Sequence, residues 1–133
     1  MIVVDTNVIG YLYLGSERSA LAEMALRKDS VWVAPLLWRS ELRNVLAQYL
    51  RKRLLSFSEV VQIMDEATML MEGREYDVPS IDVLRLVAES SCSAYDCEFV
   101  ALAKELDVAL VTVDKKILRE FSSVAVSLSE FVS

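Results

Sequence analysis

Four acidic residues occupy positions where the sequence is otherwise apolar. Asp5 follows a short apolar run at the start of the chain, and Asp114 follows the apolar run 108–113. Glu41 and Asp96 fall on the apolar stripes of two predicted helices, three and four residues from apolar neighbours. An isolated charge in apolar surroundings is costly unless it is paired or binds a metal. If the fold brings the four acids together, repulsion would protonate some of them unless a cation lies between them, so the leading hypothesis is a divalent-metal site.

Composition restricts the chemistry that such a site can perform. The 133 residues include no histidine, which excludes Ser-His and Cys-His nucleophile pairs and histidine-ligated zinc. Acid–base chemistry must therefore use carboxylates, lysine, tyrosine or metal-bound water. The net charge of −6 provides no global basic field for nucleic acid, but it leaves open an enzyme that holds nucleic acid through a metal. The hydrophobic fraction of 54 % suggests a full core and an apolar surface for a partner or a second copy.

The length suits a single domain, 1–133, with a core of its own. The two cysteines, Cys92 and Cys97, lack C-x-x-C spacing, and we expect two reduced, packed thiols rather than a structural disulfide. No uncharged apolar stretch approaches the roughly 18 residues of a membrane span, and the N-terminus lacks the pattern of a signal peptide. A soluble, cytoplasmic protein is expected.

Short apolar runs alternate with amphipathic segments along the chain. Strands are predicted at 1–5, 31–34, 75–78, 108–113 and 124–126, and helices at 7–14, 16–28, 36–53, 56–73, 79–90, 93–106 and 115–121. Strands separated by helices predict the α/β class, with a central parallel sheet of four to five strands in a three-layer α/β/α sandwich.

This architecture places the acids at one edge of the sheet. Ligands of open α/β sheets bind beyond the carboxyl ends of the strands. Asp5 and Asp114 stand at such ends, while Glu41 and Asp96 lie near the N-terminal ends of their helices, which face the same rim. We therefore expect all four carboxylates to converge.

Each acid also has a purely structural alternative. Asp5 and Asp114 could cap the helices that follow them. Asp96 could simply favour the positive end of its helix dipole, and Glu41 could pair with Arg39, Arg43 or a residue from elsewhere in the fold. Taken singly, these alternatives are about as good as the functional ones, whereas the four acids with matched neighbours favour a common site.

The ordered set of motifs resembles the PIN domain family. The matching motifs are Asp5-Thr6-Asn7, Glu41 followed by Asn44, Tyr95-Asp96, and Thr112-x-Asp114. The resemblance spans essentially the whole chain, and the length and element order agree with it. Small prokaryotic members of this kind are typically VapC-like toxins of type II toxin–antitoxin pairs.

The resemblance implies roles for individual residues. The quartet Asp5, Glu41, Asp96 and Asp114 matches the family's acidic catalytic and metal site, and the neighbouring polar residues Thr6, Asn7, Asn44 and Thr112 match the shell around it. Thr6 and Thr112 are expected to fix carboxylate rotamers. Some members carry a further acid shortly after the third, and Glu98 is the nearest candidate here.

Carboxylate ligands suit hard cations such as Mg²⁺ or Mn²⁺. Asp5 and Asp96 are our first choices as direct ligands, with Asp114 binding directly or through water. Glu41 would orient water or hold a second ion. The resemblance implies metal-dependent cleavage of single-stranded RNA that leaves 5′-phosphate and 3′-hydroxyl ends; the composition does not.

Contacts to the substrate and to partners are less strongly indicated. Arg39 and Arg43, on the helix of Glu41, could contact phosphates, although local salt bridges on a solvated face explain Arg43 somewhat better. The apolar content favours a homodimer, and the family resemblance implies an antitoxin segment in a groove.

Three other functions remain open at this stage. An aspartyl-phosphate phosphatase would place its nucleophile at Asp5, but usually has a second Asp where Asn7 stands. A catalytically silent binding module would not need all four acids. A nuclease of DNA or structured flaps would usually need a clamp or a basic arch, which this small chain lacks.

Overall fold

Five parallel strands form the central sheet. The computed structural model describes residues 1–133. The strands are β1 (Ile2–Val4), β2 (Trp32–Pro35), β3 (Glu75–Tyr76), β4 (Leu110–Thr112) and β5 (Ala125–Ser127). Their order across the sheet is β3-β2-β1-β4-β5, and every neighbouring pair is parallel. The expected parallel sheet of four to five strands is confirmed.

The chain builds this sheet outward from β1 in two directions. It adds β2 and β3 on one side and then β4 and β5 on the other, so the direction of construction reverses between β1 and β4. Open α/β sheets bind ligands outside the carboxyl ends of their strands at such a reversal, where the flanking helices diverge. The fold therefore places a potential site beyond Val4 and Thr112, the last residues of these two strands.

Eight helices cover the sheet. They are α1 (Thr6–Tyr13), α2 (Ser19–Lys28), α3 (Leu37–Arg51), α4 (Phe57–Leu70), α5 (Ser80–Glu89), α6 (Ala94–Leu106), α7 (Lys115–Glu120) and α8 (Leu128–Val132). Helices α5 and α6 form one group, in which α6 packs on β1, β2 and β4. Helices α1, α3 and α8 contact the sheet as part of a second group, which also includes α2 and α4. The predicted three-layer α/β/α sandwich is thus confirmed. None of the helices combines the length and the apolar character that a membrane crossing requires.

The structure differs from the sequence prediction at the start of α2 and in having one further helix. Helix α2 begins at Ser19 instead of residue 16, because the backbone N–H of Ser16 donates to the Ser19 hydroxyl (3.1 Å) and holds this segment in a turn. Helix α8 is absent from the prediction. Ser127 ends β5 and also caps α8 by accepting from the Glu130 N–H (3.2 Å), so no turn residues separate the two elements.

The core lies between the sheet and its two helical layers. Val3 and Val4 are fully buried, as strand β1 requires in the centre of a doubly covered sheet. Trp38 is also fully buried, in agreement with core packing rather than base stacking. Cys92 and Cys97 are buried and free, as expected.

The short edge strand β3 is anchored by one carboxylate. Glu75 accepts a hydrogen bond from the indole Nε1 of Trp38 (2.8 Å) and another from Nη2 of Arg39 (2.6 Å), which also approaches through Nε. These bonds to Arg39 lower the pKa of Glu75. The contact joins the start of α3 to a strand of only two residues.

We predict that Glu75→Ala lowers the free energy of unfolding by about 1–3 kcal/mol, because the buried Trp38 N–H loses its acceptor. Loss of the Arg39 pair adds little, since the arginine side chain is 38 % exposed and screened by solvent. Urea denaturation followed by circular dichroism measures the change. Glu75→Gln is the matched control: its amide oxygen can still accept from Trp38, so it should cost less. Equal stability of Glu75→Ala and the wild type would contradict this account.

Candidate active site

Asp5 and Asp114 lie side by side where the strand order reverses, at the carboxyl ends of β1 and β4. Strands β1 and β4 are neighbours, with Val4 opposite Val111, and the N–H of Asp5 donates to the Val111 carbonyl (3.0 Å). Each aspartate follows its strand by one or two residues and precedes a helix. The predicted position of both acids at one rim is therefore what the structure shows.

Thr112 joins these two aspartates. Its hydroxyl donates to Oδ2 of Asp5 (2.7 Å) and accepts from the backbone N–H of Asp114 (3.1 Å). Thr112 is completely buried, so water does not compete for this hydroxyl. A single side chain thus fixes one carboxylate rotamer and the start of the next loop.

Thr6 makes the corresponding link on the other side of Asp5. Its N–H donates to Oδ1 of Asp5 (2.8 Å), and its hydroxyl donates to Oε1 of Glu41 (2.7 Å). Thr6 is 4 % exposed, which again leaves the bond protected from solvent. The result is a continuous chain of hydrogen bonds that runs Glu41–Thr6–Asp5–Thr112–Asp114.

Asp96 completes the group from the first turn of α6. The Ser93 hydroxyl accepts the Asp96 N–H (3.1 Å) and caps this helix. Burial raises the pKa of Asp96, and the charge of Asp114 raises it further, while Ser93 and Lys116 act in the opposite direction. The effect of Asp114 on Asp96 indicates that the helix brings the Asp96 carboxylate to the rim.

Burial and like charges also act on the other acids. Burial raises the pKa of Asp5 above its ordinary value; the Thr112 and Thr6 hydrogen bonds oppose this, and the charges of Asp96 and Asp114 add to it. Burial likewise raises the pKa of Glu41, together with the charges of Asp5, Asp96 and Glu98. The four carboxylates therefore form one electrostatically coupled group.

Positive charge is scarce around this group. The two ion pairs of the molecule, Met1–Asp29 and Arg39–Glu75, involve none of the four carboxylates. The cation that affects their pKa values is Lys116, which acts on Asp96. Partly buried carboxylates without a paired cation have the electrostatic character of a cation site.

The donor set fits a hard divalent ion. Carboxylate and hydroxyl oxygens surround the rim, and no histidine is available, which suits Mg²⁺ or Mn²⁺ better than zinc. No three acidic or cysteine side chains converge closely enough to hold one ion together. Mg²⁺ usually takes only one or two carboxylates and keeps several waters, so it does not require three converging side chains.

Asp5 and Asp114 also cap helices, as their structural alternatives predict, while they remain members of the carboxylate group. Oδ1 of Asp114 accepts the N–H groups of Lys116 and Ile117 (2.9 and 3.0 Å) and caps α7, while Asp5 caps α1. In each case the cap uses only Oδ1, and the second carboxylate oxygen takes no part in it. Glu41 forms no ion pair with an arginine, so that alternative is absent from the structure.

The remaining predicted site residues are placed away from the carboxylates or at their margin. Asn7 and Asn44 are exposed, and neither side chain makes a protein hydrogen bond, so neither supports an acid directly. The Arg39 guanidinium forms an ion pair with Glu75. Arg43 is exposed and lines an apolar groove between α3 and α4. Phosphate contacts by these two arginines stay a prediction.

Two further residues belong to the site: Glu98, which the sequence pattern indicated only weakly, and Lys116, which it did not indicate. Glu98 lies close enough to Glu41 to raise its pKa, and its own pKa is raised by burial and by Asp77. Lys116 acts on Asp96 from the first turn of α7. The signal for Glu98 is its position two residues after Asp96, and no comparable pattern marks Lys116.

We predict that Thr112→Val raises the pKa of Asp5 and destabilises the protein by about 1–3 kcal/mol, because the lost hydroxyl stabilised the ionised Asp5 and satisfied the Asp114 N–H. NMR titration of the Asp5 carboxyl carbon and urea denaturation measure the two effects. Thr112→Ser keeps the hydroxyl and should leave the Asp5 pKa near that of the wild type. An unchanged Asp5 pKa in Thr112→Val would show that the bond does not support the carboxylate.

We also predict that Asp96→Asn becomes progressively more stable than the wild type as pH rises, when both are measured in EDTA. The folded-state pKa of Asp96 lies above its ordinary value of 3.8. Between these two pKa values the native wild type binds more protons than its unfolded chain, so its stability falls as pH rises. The advantage of the variant should appear above about pH 4 and level off above the folded-state pKa.

Chemical denaturation across pH 3–8 tests this, with Glu105→Gln at the exposed end of α6 as the control. A pH-independent difference between Asp96→Asn and the wild type would contradict the electrostatic account.

Comparison with known proteins agrees with this arrangement. The chain is similar to Ribonuclease VapC3 of Pyrobaculum aerophilum, with 28 % identity over 123 residues that cover 90 % of this chain and 94 % of the relative. It is also similar to Ribonuclease VapC1 of Mycobacterium tuberculosis, with 27 % identity over 115 residues and 86 % of each chain covered. The crystal structure of PAE2754 from Pyrobaculum aerophilum superposes with a TM-score of 0.78 over 98 % of this chain and 85 % of that one, at 17 % identity, and so shares the fold.

A family model decides the assignment. The model of the PIN domain matches residues 2–124. This range contains every member of the acidic quartet and both threonines that connect them. The chain belongs to the PIN domain family.

Proposed function

We propose that this protein is a metal-dependent endoribonuclease that cleaves single-stranded RNA. The observation that carries the proposal is the chain of hydrogen bonds from Glu41 through Thr6, Asp5 and Thr112 to Asp114 at the reversal of strand order. Asp96 is coupled to the same group. The names of the VapC relatives, which are ribonucleases, support RNA as the substrate.

A bound Mg²⁺ or Mn²⁺ would lower the pKa of a water molecule, orient it for in-line attack and neutralise charge on the phosphate. Asp5 and Asp96 would hold the cation, and Asp114 would contribute through water, because no three acidic side chains converge closely enough to bind one ion together. Although both Asp5 oxygens already accept hydrogen bonds, each carboxylate oxygen has two lone pairs and retains capacity for a metal.

The other residues of the site position these groups. Glu41 orients a water molecule or holds a second ion, with its rotamer fixed by Thr6. The Thr112 hydroxyl opposes the rise in the Asp5 pKa that burial causes, and it fixes the rotamer of that carboxylate. Because the carboxylates are partly buried while the rim opens to solvent, a flexible single strand can bring its phosphate to the ions more readily than a duplex.

We further propose that the protein is the cytoplasmic toxin of a VapBC-type pair, forms a homodimer and binds an antitoxin segment. The relatives' VapC names support the toxin role. The surface supports a partner segment: an apolar groove between α3 and α4 is lined by Leu46, Leu50, Phe57, Val61 and Met64. Phe57 is 61 % exposed there, which is costly for an aromatic side chain that has no partner. A small DNA-binding protein encoded immediately upstream would strengthen the toxin assignment.

We predict that Mg²⁺ or Mn²⁺ supports cleavage of single-stranded RNA and that EDTA abolishes it. Asp5→Asn and Asp96→Asn should each lower kcat at least about 100-fold, because each removes a charged ligand of the catalytic cation. Cleavage of labelled RNA and matched DNA oligonucleotides, with analysis of the product ends, measures this. The expected ends are a 5′-phosphate and a 3′-hydroxyl.

Glu105→Gln, which removes a charge far along α6, is the control and should cleave at the wild-type rate. Normal cleavage by an Asp5→Asn/Asp96→Asn double variant would falsify the site assignment. A phosphoryl group trapped on Asp5 would instead favour a phosphatase, and preferential cleavage of DNA would change the substrate class.

A further inference from the structure

A crevice beside the carboxylates has no role in the chemistry described so far. It lies between α1 and α3 and has a volume of about 140 Å³. Its lining includes Thr6, Asn7, Gly10, Tyr11, Val45 and Tyr49. Thr6 belongs both to this crevice and to the hydrogen-bond chain, where its hydroxyl binds Glu41. The crevice therefore begins at the edge of the carboxylate group.

The chemical character of the crevice differs from that of the carboxylate rim. None of its nine lining residues is charged, and five are hydrophobic. Tyr11 and Tyr49 are partly exposed and present aromatic surface, while the buried Leu42 closes one wall. The Tyr11 hydroxyl accepts a hydrogen bond from Arg18 (2.9 Å), which fixes the orientation of that ring. A neutral aromatic and aliphatic lining suits a flat uncharged group better than a phosphate or a cation.

Asn7 is a polar residue of the crevice that has no protein partner. The Asn7 side chain is exposed and makes no hydrogen bond within the protein. A side-chain amide offers both a donor and an acceptor, which match the hydrogen-bonding edge of a nucleobase. At about 30 Å³ of liquid volume for each water molecule, the crevice holds roughly five waters, which limits its occupant to one small group.

We propose that this crevice binds one unpaired nucleobase of the RNA next to the scissile phosphate. The proposal rests on the ribonuclease function and adds a determinant of substrate choice to it. The base contacts the tyrosines and the aliphatic wall, and Asn7 hydrogen-bonds its edge. Binding requires an unpaired base, because recognition of RNA bases by stacking and by their Watson–Crick edge needs them splayed out of a helix.

Gly10 provides a way to narrow the crevice without damaging the fold. A Cβ at this position would lie 3.7 Å from Cδ1 of Leu14 and 3.7 Å from Cδ1 of Leu42, which is ordinary van der Waals contact. Both leucines line the crevice, so the methyl group of Gly10→Ala would occupy its space. Alanine also has a higher helix propensity than glycine, and Gly10 lies within α1. The variant should therefore fold at least as well as the wild type.

The test combines this variant with a substrate scan. Gly10→Ala should raise Tm and lower kcat/KM for single-stranded RNA by about 5- to 100-fold, the range expected for loss of one stacked base. Gly15→Ala is the matched control, because a Cβ there meets nothing within 4 Å, and it should cleave normally. An abasic nucleotide at one position near the cleaved bond should slow the wild type by a similar factor and have little further effect on Gly10→Ala. Asn7→Ala should weaken discrimination among the four bases at that position.

The outcomes separate this inference from the ribonuclease function. If the wild type cleaves RNA, Gly10→Ala cleaves equally well and the abasic scan is flat, the inference is overturned while the ribonuclease function stands. If Gly10→Ala instead weakens binding of a protein partner and leaves cleavage intact, the crevice is a protein-docking site and the inference is also overturned.

A metal-free measurement covers failure of the ribonuclease function itself. If the wild type cleaves no RNA in Mg²⁺ or Mn²⁺, NMR titration with the four ribonucleoside monophosphates in EDTA examines the crevice alone. Saturable shifts at the Gly10 and Tyr11 amides that Gly10→Ala abolishes would support base binding. No shift at those amides would overturn it.

Discussion

The structure depends on holding like charges close together without cations to separate them. Two buried threonine hydroxyls do this by donating to Glu41 and Asp5 from positions that water does not reach. Such bonds favour the ionised carboxylates, whereas burial and mutual repulsion oppose ionisation. Because the net effect is a raised pKa at both Asp5 and Glu41, the rim is ordered but lacks compensating positive charge, which a hard cation would supply.

The sheet explains why this arrangement is possible in so small a domain. Strand β1 has only three residues, but it is paired on both sides and its residues are buried. Asp5 thus directly follows the most constrained part of the fold, and its N–H donates a hydrogen bond to the Val111 carbonyl of β4. The protein as a whole is acidic, so affinity for a polyanion would have to come from a cation bound at the rim and from local contacts rather than from a general positive field.

The sequence indicates some parts of this site better than others. Asp5 and Asp114 are recognisable because an acid after an apolar run marks the end of a buried strand, and that logic depends only on local spacing. The role of Arg39 could not be predicted in this way, because its partner Glu75 lies 36 residues away in a strand of two residues. The crevice at Gly10 could not be predicted either, since a glycine within a helix does not indicate which distant side chains surround it. Helix α8 escaped prediction because one serine both ends a strand and starts the helix.

The cap formed by Asp5 has a consequence for how this domain can change over time. The N–H of Thr6 needs only an oxygen acceptor at position 5, and asparagine supplies one as effectively as aspartate does. The architecture of α1 thus makes no demand for the negative charge itself. Thr112 is different, because the same buried hydroxyl serves both the backbone and the carboxylate. An Asp5→Asn change would therefore keep the helix cap and remove the charge, but it would also take away the acceptor that the buried Thr112 hydroxyl uses.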